Sequence, residues 1–225
     1  VTAVRNSLAH LRTLFGPLHL AALAGVLAAA LLWPAGSAGD RALLRWLILR
    51  TELFGPLVLM GLTASVLLVD GRVDERWGTS PRGMQGLFLQ RWSLATAYYA
   101  LATGLFIWGA GPRAGGFSEG RVFLSALVTA ALFSAACHFI HHLSGSAATG
   151  WAGGLAAYFI TVTIASFWCP YDSAYQLWLP FAGVSDASPG ALALSKTAYA
   201  LLAVLLLRGS ARLLAVPERL IRANG

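Results

Sequence analysis

Apolar runs close to the 20 residues that a helix needs to cross a bilayer recur from Pro17 to Leu207 of this chain. That recurrence constrains the fold more than any motif does, because in lipid each backbone N–H and C=O must find its partner inside the protein. Composition agrees: 57% of the residues are hydrophobic and 11% charged, where a soluble domain carries roughly 25% charged residues. No polar region is large enough to fold as a separate aqueous domain. The expectation is one all-α integral membrane domain over 1–225, with an interfacial helix at 1–16, six spans within 17–207 and a cytoplasmic tail at 208–225.

The segment "VTAVRNSLAHLRTLFG" places Val4, Leu8, Leu11 and Phe15 on one helical face and Arg5 and Arg12 away from it. This is the pattern of a helix lying in the membrane interface, and the alternative is the cytoplasmic start of the first span. The spans are expected at about 17–33, 46–69, 93–108, 122–140, 149–168 and 191–207, with Pro56 able to kink the second. Trp33, Trp46, Trp92, Trp108, Trp151 and Trp168 fall at or beside these limits, as amphipathic rings that prefer the headgroup level should.

The net charge of +7 is almost wholly arginine, spread over loops and termini. No basic run is interleaved with aromatics, so a nucleic-acid partner is not expected, and the charges read as topology signals. With the N-terminus inside, ten arginines from Arg5 to Arg222 fall on cytoplasmic segments. Arg41, Arg45, Arg50, Arg113, Arg121 and Lys196 are assigned to outer segments. Both termini are then cytoplasmic. Cys137 and Cys169 fall near opposite membrane faces and form neither a disulfide framework nor a metal signature.

The most polar stretch, "GRVDERWGTSPRGMQGLFLQRW" from Gly71 to Trp92, becomes a cytoplasmic loop with its own helix. Ser80 is a cap and Pro81 a first helical residue whose missing N–H costs nothing. Met84, Leu87 and Phe88 share a face that can dock on a soluble partner or rest on the headgroups. The order Glu75-Arg76, Gly78-Thr79, Pro81-Arg82 and Arg91, within this six-span layout, resembles the permease subunits of type 2 ABC exporters. Here only Ser80 separates "GT" from the proline, fewer residues than is usual in that family.

The resemblance implies a permease that binds no cofactor itself, dimerises with a second permease subunit, the same or homologous, and contacts membrane lipids. It also implies a separate nucleotide-binding ATPase, carrying ATP and Mg, held through a coupling helix at Glu75, Arg76, Pro81, Arg82, Met84 and Gln85. No residue is then catalytic. The outer connection before the sixth span, with Tyr171, Tyr175 and Trp178 on one face, is implied to re-enter the bilayer and line the substrate path or outer gate; by itself it also reads as an aromatic surface helix. Gly150, Gly153 and Gly154 allow close approach of another helix, which suits a dimer seam.

Other chemistry was weighed. "GALALSKT", Gly190 to Thr197, departs from the phosphate-loop pattern at Ser195 and opens an apolar span with no preceding strand. "GFSEG", Gly116 to Gly120, matches a serine-hydrolase elbow but falls in a loop. A serine protease of the rhomboid kind needs a histidine in the last span, and "ALALSKTAYALLAVLLL" has none. The alternative function is a small intramembrane metal-dependent enzyme using His138, His141 and His142 of "CHFIHH", whose spacing lets imidazoles share a metal. Against it, no carboxylate is expected within the spans to complete the shell, and an interfacial histidine cluster is the simpler reading. The expected protein is an exporter of amphipathic, drug-like, peptide or lipid-like substrates in the bacterial cytoplasmic membrane.

Overall fold

A computed structural model describes residues 41–68, 83–110, 119–167, 180 and 188–215. Among the described residues the protein is all-helical: α1 (Arg41–Leu68), α2 (Gly83–Ala110), α3 (Glu119–Ser144), α4 (Ala147–Phe167) and α5 (Pro189–Leu214). Three of these helices, α3, α4 and α5, are long and apolar enough to cross a membrane, and α1 contains a shorter apolar stretch, Thr51–Ala64. The interfacial helix and the first span expected within 1–40 lie outside the described residues, as does the tail from 216 onward.

Helix limits follow local chemistry. At the start of α5 the Ser188 hydroxyl accepts from the Ala191 N–H at 3.3 Å, and Pro189 opens the first turn, where its missing donor and fixed φ are suited. Between α3 and α4 the chain turns at Gly145, whose φ of +70° is the left-handed conformation that closes many helices. The Gly145 N–H bonds the His141 carbonyl at 2.9 Å. Ser146 then caps α4 by accepting from the Thr149 N–H at 3.3 Å. A turn this short makes α3 and α4 antiparallel neighbours.

The pairings give the remaining directions. Glu52 and Thr63 of α1 meet Ser125 and Ser134 of α3 in the same order, so α1 and α3 run parallel. Lys196 meets Thr129, while Gly209 lies against Phe139, so α5 is parallel to them too. Trp92 meets Ser134, and Gly104 faces Phe123, so α2 runs the other way, as α4 does. Helix α3 touches all four others and is the axis of the bundle. Its apolar stretch is 56% buried, against 17% and 22% for α4 and α5. Large side chains such as Phe159, Ile160, Leu194, Leu201 and Leu205 face outward, an exterior that suits lipid rather than water.

Two features depart from expectation. The segment expected to form a separate coupling helix is continuous with the third predicted span, as the single 28-residue helix α2. Gly83 at its start has a φ of +63°, outside the right-handed helical region, and Pro81 and Arg82 lie outside the described residues. Second, the glycines of α4 face α3 rather than a second subunit. A Cβ at Gly150 would sit 2.5 Å from His141 Cβ, and one at Gly154 2.8 Å from Cys137 Cβ. The close approach that glycine permits is used inside the bundle.

Candidate functional site

Along α3 the buried polar residues form two pairs, Ser125 with Thr129 and Ser134 with His138, each pair spaced about one helical turn. Each recruits partners from the surrounding helices, which divides the bundle interior into three tiers.

The first tier holds an ion pair. Lys196, within the second and third turns of α5, sends its ammonium 3.0 Å from Glu52 Oε1 of α1. Its other oxygen neighbours are Thr129 Oγ1 at 2.8 Å, the Pro180 carbonyl at 2.6 Å and the Ser125 carbonyl at 3.3 Å. The Ser125 hydroxyl donates to the same Glu52 oxygen. Thr129 Oγ1 lies 2.7 Å from the Pro180 carbonyl and 2.9 Å from that of Ser125. Glu52 is 1% exposed and Lys196 8%, so both charges are removed from solvent. A lysine or carboxylate alone at the centre of a membrane helix costs about 2.5–3.5 kcal/mol on insertion scales and more in simulations. Pairing and complete hydrogen bonding are what offset such a cost.

Helix α1 is shaped around this tier. Pro56 has no N–H for the Glu52 carbonyl one turn earlier, which loosens the helix beside the carboxylate. Gly55 leaves room for Tyr99 of α2, since a Cβ there would fall 2.2 Å from the phenol oxygen. Nearby, the Tyr158 hydroxyl of α4 donates to the Leu53 carbonyl at 2.6 Å.

In the second tier Trp92 Nε1 donates to Ser134 Oγ at 3.1 Å, and Ser134 is 3.0 Å from Thr63 Oγ1. Thr63 Oγ1 is 2.8 Å from the Leu59 carbonyl. A hydroxyl has one proton to give, so the donors run from Trp92 to Ser134 to Thr63 to the α1 backbone. Three helices are tied by one chain.

The third tier is aromatic. Phe88 meets His138 and His142 edge-on, with ring centroids 5.8 and 5.1 Å apart. His141 and His142 lie 4.8 Å apart, tilted. His138 Nε2, His141 Nδ1 and His142 Nε2 are buried with no hydrogen-bond partner. Among the described residues no group of three His, Cys, Asp or Glu side chains is placed to hold a metal ion.

Of the residues singled out from the sequence, Met84 packs against the Phe88 cluster with Trp92, and Gln85 is half-buried in the first turns of α2. Arg5, Arg12, Glu75, Arg76, Pro81, Arg82, Tyr171, Tyr175 and Trp178 lie outside the described residues. The ion pair was missed, and two expectations are corrected by it. Glu52 is a carboxylate inside the predicted 46–69 span, where none was expected, and Lys196 belongs to the bundle interior rather than to an outer segment. The signal was present: one acidic residue in one apolar run and one lysine in another, each rare in lipid unless partnered.

Comparison with protein-family models, with curated proteins and with solved structures finds no match for this chain.

Proposed function

We propose that this protein is the membrane-embedded permease subunit of an ATP-driven exporter of the type 2 ABC kind, resident in the bacterial cytoplasmic membrane with six spans and both termini inside. A separate ATPase supplies ATP and Mg, and a second permease subunit completes the path for an amphipathic or lipid-like substrate. In that orientation the ion pair lies toward the outer face and the histidines toward the cytoplasm.

One observation carries this reading. Helix α2 runs unbroken from Gly83, inside the polar stretch that resembles a coupling segment, to Ala110, a length of about 42 Å at 1.5 Å per residue. On the way it touches all three tiers: Phe88 on the histidines, Trp92 on Ser134, and Tyr99 against Gly55 one turn from Glu52. A push on its cytoplasmic end reaches the ion pair through one rigid element, as a permease driven by a soluble motor requires. Bond-breaking chemistry has no comparable support, and no observation favours the metal-enzyme alternative.

The test is co-expression of the tagged chain with a candidate soluble ATPase, one encoded in a neighbouring reading frame, followed by recovery from membranes in mild detergent and reconstitution in vesicles carrying a fluorescent short-chain lipid. The wild-type complex is expected to retain the ATPase and move the lipid only with ATP. Arg82→Glu with Gln85→Glu should lose both while still inserting, since like charge at a docking surface costs several kcal/mol. Absence of ATPase retention and of ATP-dependent movement in the wild-type chain would overturn the reading.

A further inference from the structure

The surroundings of Lys196 match a cation site better than a simple ion pair. Four oxygens, from the Glu52 carboxylate, the Thr129 hydroxyl and the Pro180 and Ser125 carbonyls, lie 2.6–3.3 Å from Nζ. An ammonium on a side chain has three protons, one fewer than the oxygens around it. Directed hydrogen bonds alone do not call for the surplus, whereas a bare cation gathers oxygens by charge. The ligand types are also those of a hard cation: a carboxylate, backbone carbonyls and a hydroxyl, with no soft or nitrogen donor.

Charge fixes the valence. Among the described residues the oxygens around Nζ include one carboxylate, that of Glu52. One positive charge therefore neutralises it, and a divalent ion would leave an excess buried in lipid. The Ser125 hydroxyl donates to Glu52, so it tunes the carboxylate and leaves the Ser125 carbonyl to face the cation. The cage is built from three separate pieces of chain, α1, α3 and Pro180, and α5 carries the occupant.

We propose that Glu52, Ser125, Thr129 and Pro180 form a monovalent-cation site whose resident cation is the tethered ammonium of Lys196, exchangeable in chemistry for a free potassium, sodium or small alkylammonium ion. The native chain has no need of dissolved cation here, because its own side chain fills the cage. Removing that side chain converts a tethered site into an open one. This inference concerns binding within the chain and stands or falls independently of whether the protein transports anything.

The experiment uses the full chain in detergent and three forms: wild type, Lys196→Ala, and the charge-balanced double variant Glu52→Gln with Lys196→Ala. Thermal unfolding midpoints are measured in chloride salts of choline, potassium, sodium and methylammonium at equal ionic strength. Wild type and the double variant are expected to have the same midpoint in all four salts. Lys196→Ala is expected to be depressed in choline and to regain about 5 °C or more in methylammonium or an alkali salt, a shift readable for a chain of this size. Isothermal titration of potassium or methylammonium into Lys196→Ala should show saturable binding that the double variant lacks. Three outcomes overturn the proposal. The Lys196→Ala midpoint is equal in all four salts; its recovery is matched by the double variant; or it fails to accumulate in membranes, which are bathed by potassium and sodium throughout synthesis.

Discussion

The two ends of α3 solve the problem of buried polarity in opposite ways. At the Ser125 end a lysine and a glutamate are buried, and the ammonium has four oxygen neighbours. At the His142 end three imidazoles are gathered, and His138 Nε2, His141 Nδ1 and His142 Nε2 have none. A full charge out of water costs several kcal/mol even after relaxation, so it is retained only with a complete shell. A neutral ring nitrogen left unbonded costs about 1–3 kcal/mol, which edge-on packing against Phe88 and the surrounding apolar contacts can outweigh. The charged end is specified by partners, and the histidine end by shape.

The largest expected effect breaks the charged end. Glu52→Gln or Lys196→Met alone leaves one buried charge without its counter-ion and should destabilise the chain by about 3–5 kcal/mol. The pair Glu52→Leu with Lys196→Met should return close to wild-type stability, since well-packed apolar replacements of buried ion pairs are often neutral or better. A double-mutant cycle on unfolding in detergent measures this. Additive losses would mean that the two charges do not support each other.

Next is the seam behind the histidines. Gly150→Ala places a methyl 2.5 Å from His141 Cβ and 2.8 Å from its Cα, contacts that must push α4 off α3. Overpacking of this kind costs about 1–3 kcal/mol, and the thermal midpoint should fall accordingly. Gly61→Ala, with nothing within 4 Å of the added carbon, is the matched control and should change little.

A smaller loss is expected in the middle tier. Trp92→Phe keeps an aromatic ring beside Phe88 and Leu132 but removes the donor to Ser134, a change of about 1 kcal/mol. Ser134→Ala in the same background should then add less than it does alone. If the two effects simply sum, the hydrogen-bonded chain through Thr63 is not cooperative.

The smallest effect should come from the histidines themselves. His142→Phe replaces a ring that has an unbonded buried nitrogen with one that has none, so stability should stay within about 1 kcal/mol of wild type or rise. A loss as large as that of Lys196→Met would erase the contrast between the ends. Stoichiometric zinc or iron in the purified protein, lost with His141→Asn and His142→Asn, would replace packing by coordination as the account of this tier.

Much of the bundle was legible from hydropathy because apolar length is the quantity that lipid selects. Expected spans at 122–140, 149–168 and 191–207 fall within or close to helices observed at 119–144, 147–167 and 189–214. The ends were less legible. Arg208 and Arg212 continue α5 beyond the apolar run, because a helix does not stop where its side chains become polar. The joining of 83–92 to the third span is not legible from hydropathy because Gln90 and Arg91 interrupt the apolar run, whereas Phe88 and Trp92 pack with α3 and α5. The ion pair was hidden by its spacing in sequence. A lone Glu52 or Lys196 has no local pattern, and the helix packing that makes them neighbours is not written within either segment.

That spacing also bears on how the protein is made. Lys196 is synthesised 144 residues after Glu52, which at about 5–20 residues per second is roughly 7–30 s of translation. Ser125 arrives about halfway through that interval, as the first of the two partners. Until α5 emerges, Glu52 of α1 lacks the Lys196 ammonium, and an apolar run interrupted by an acid is a poor substrate for release into lipid. The nascent α1 is therefore expected to linger at the insertion machinery, and closing the pair then marks the completed bundle. A chain truncated before Lys196 lacks that mark, because Glu52 then never meets the ammonium that closes the bundle.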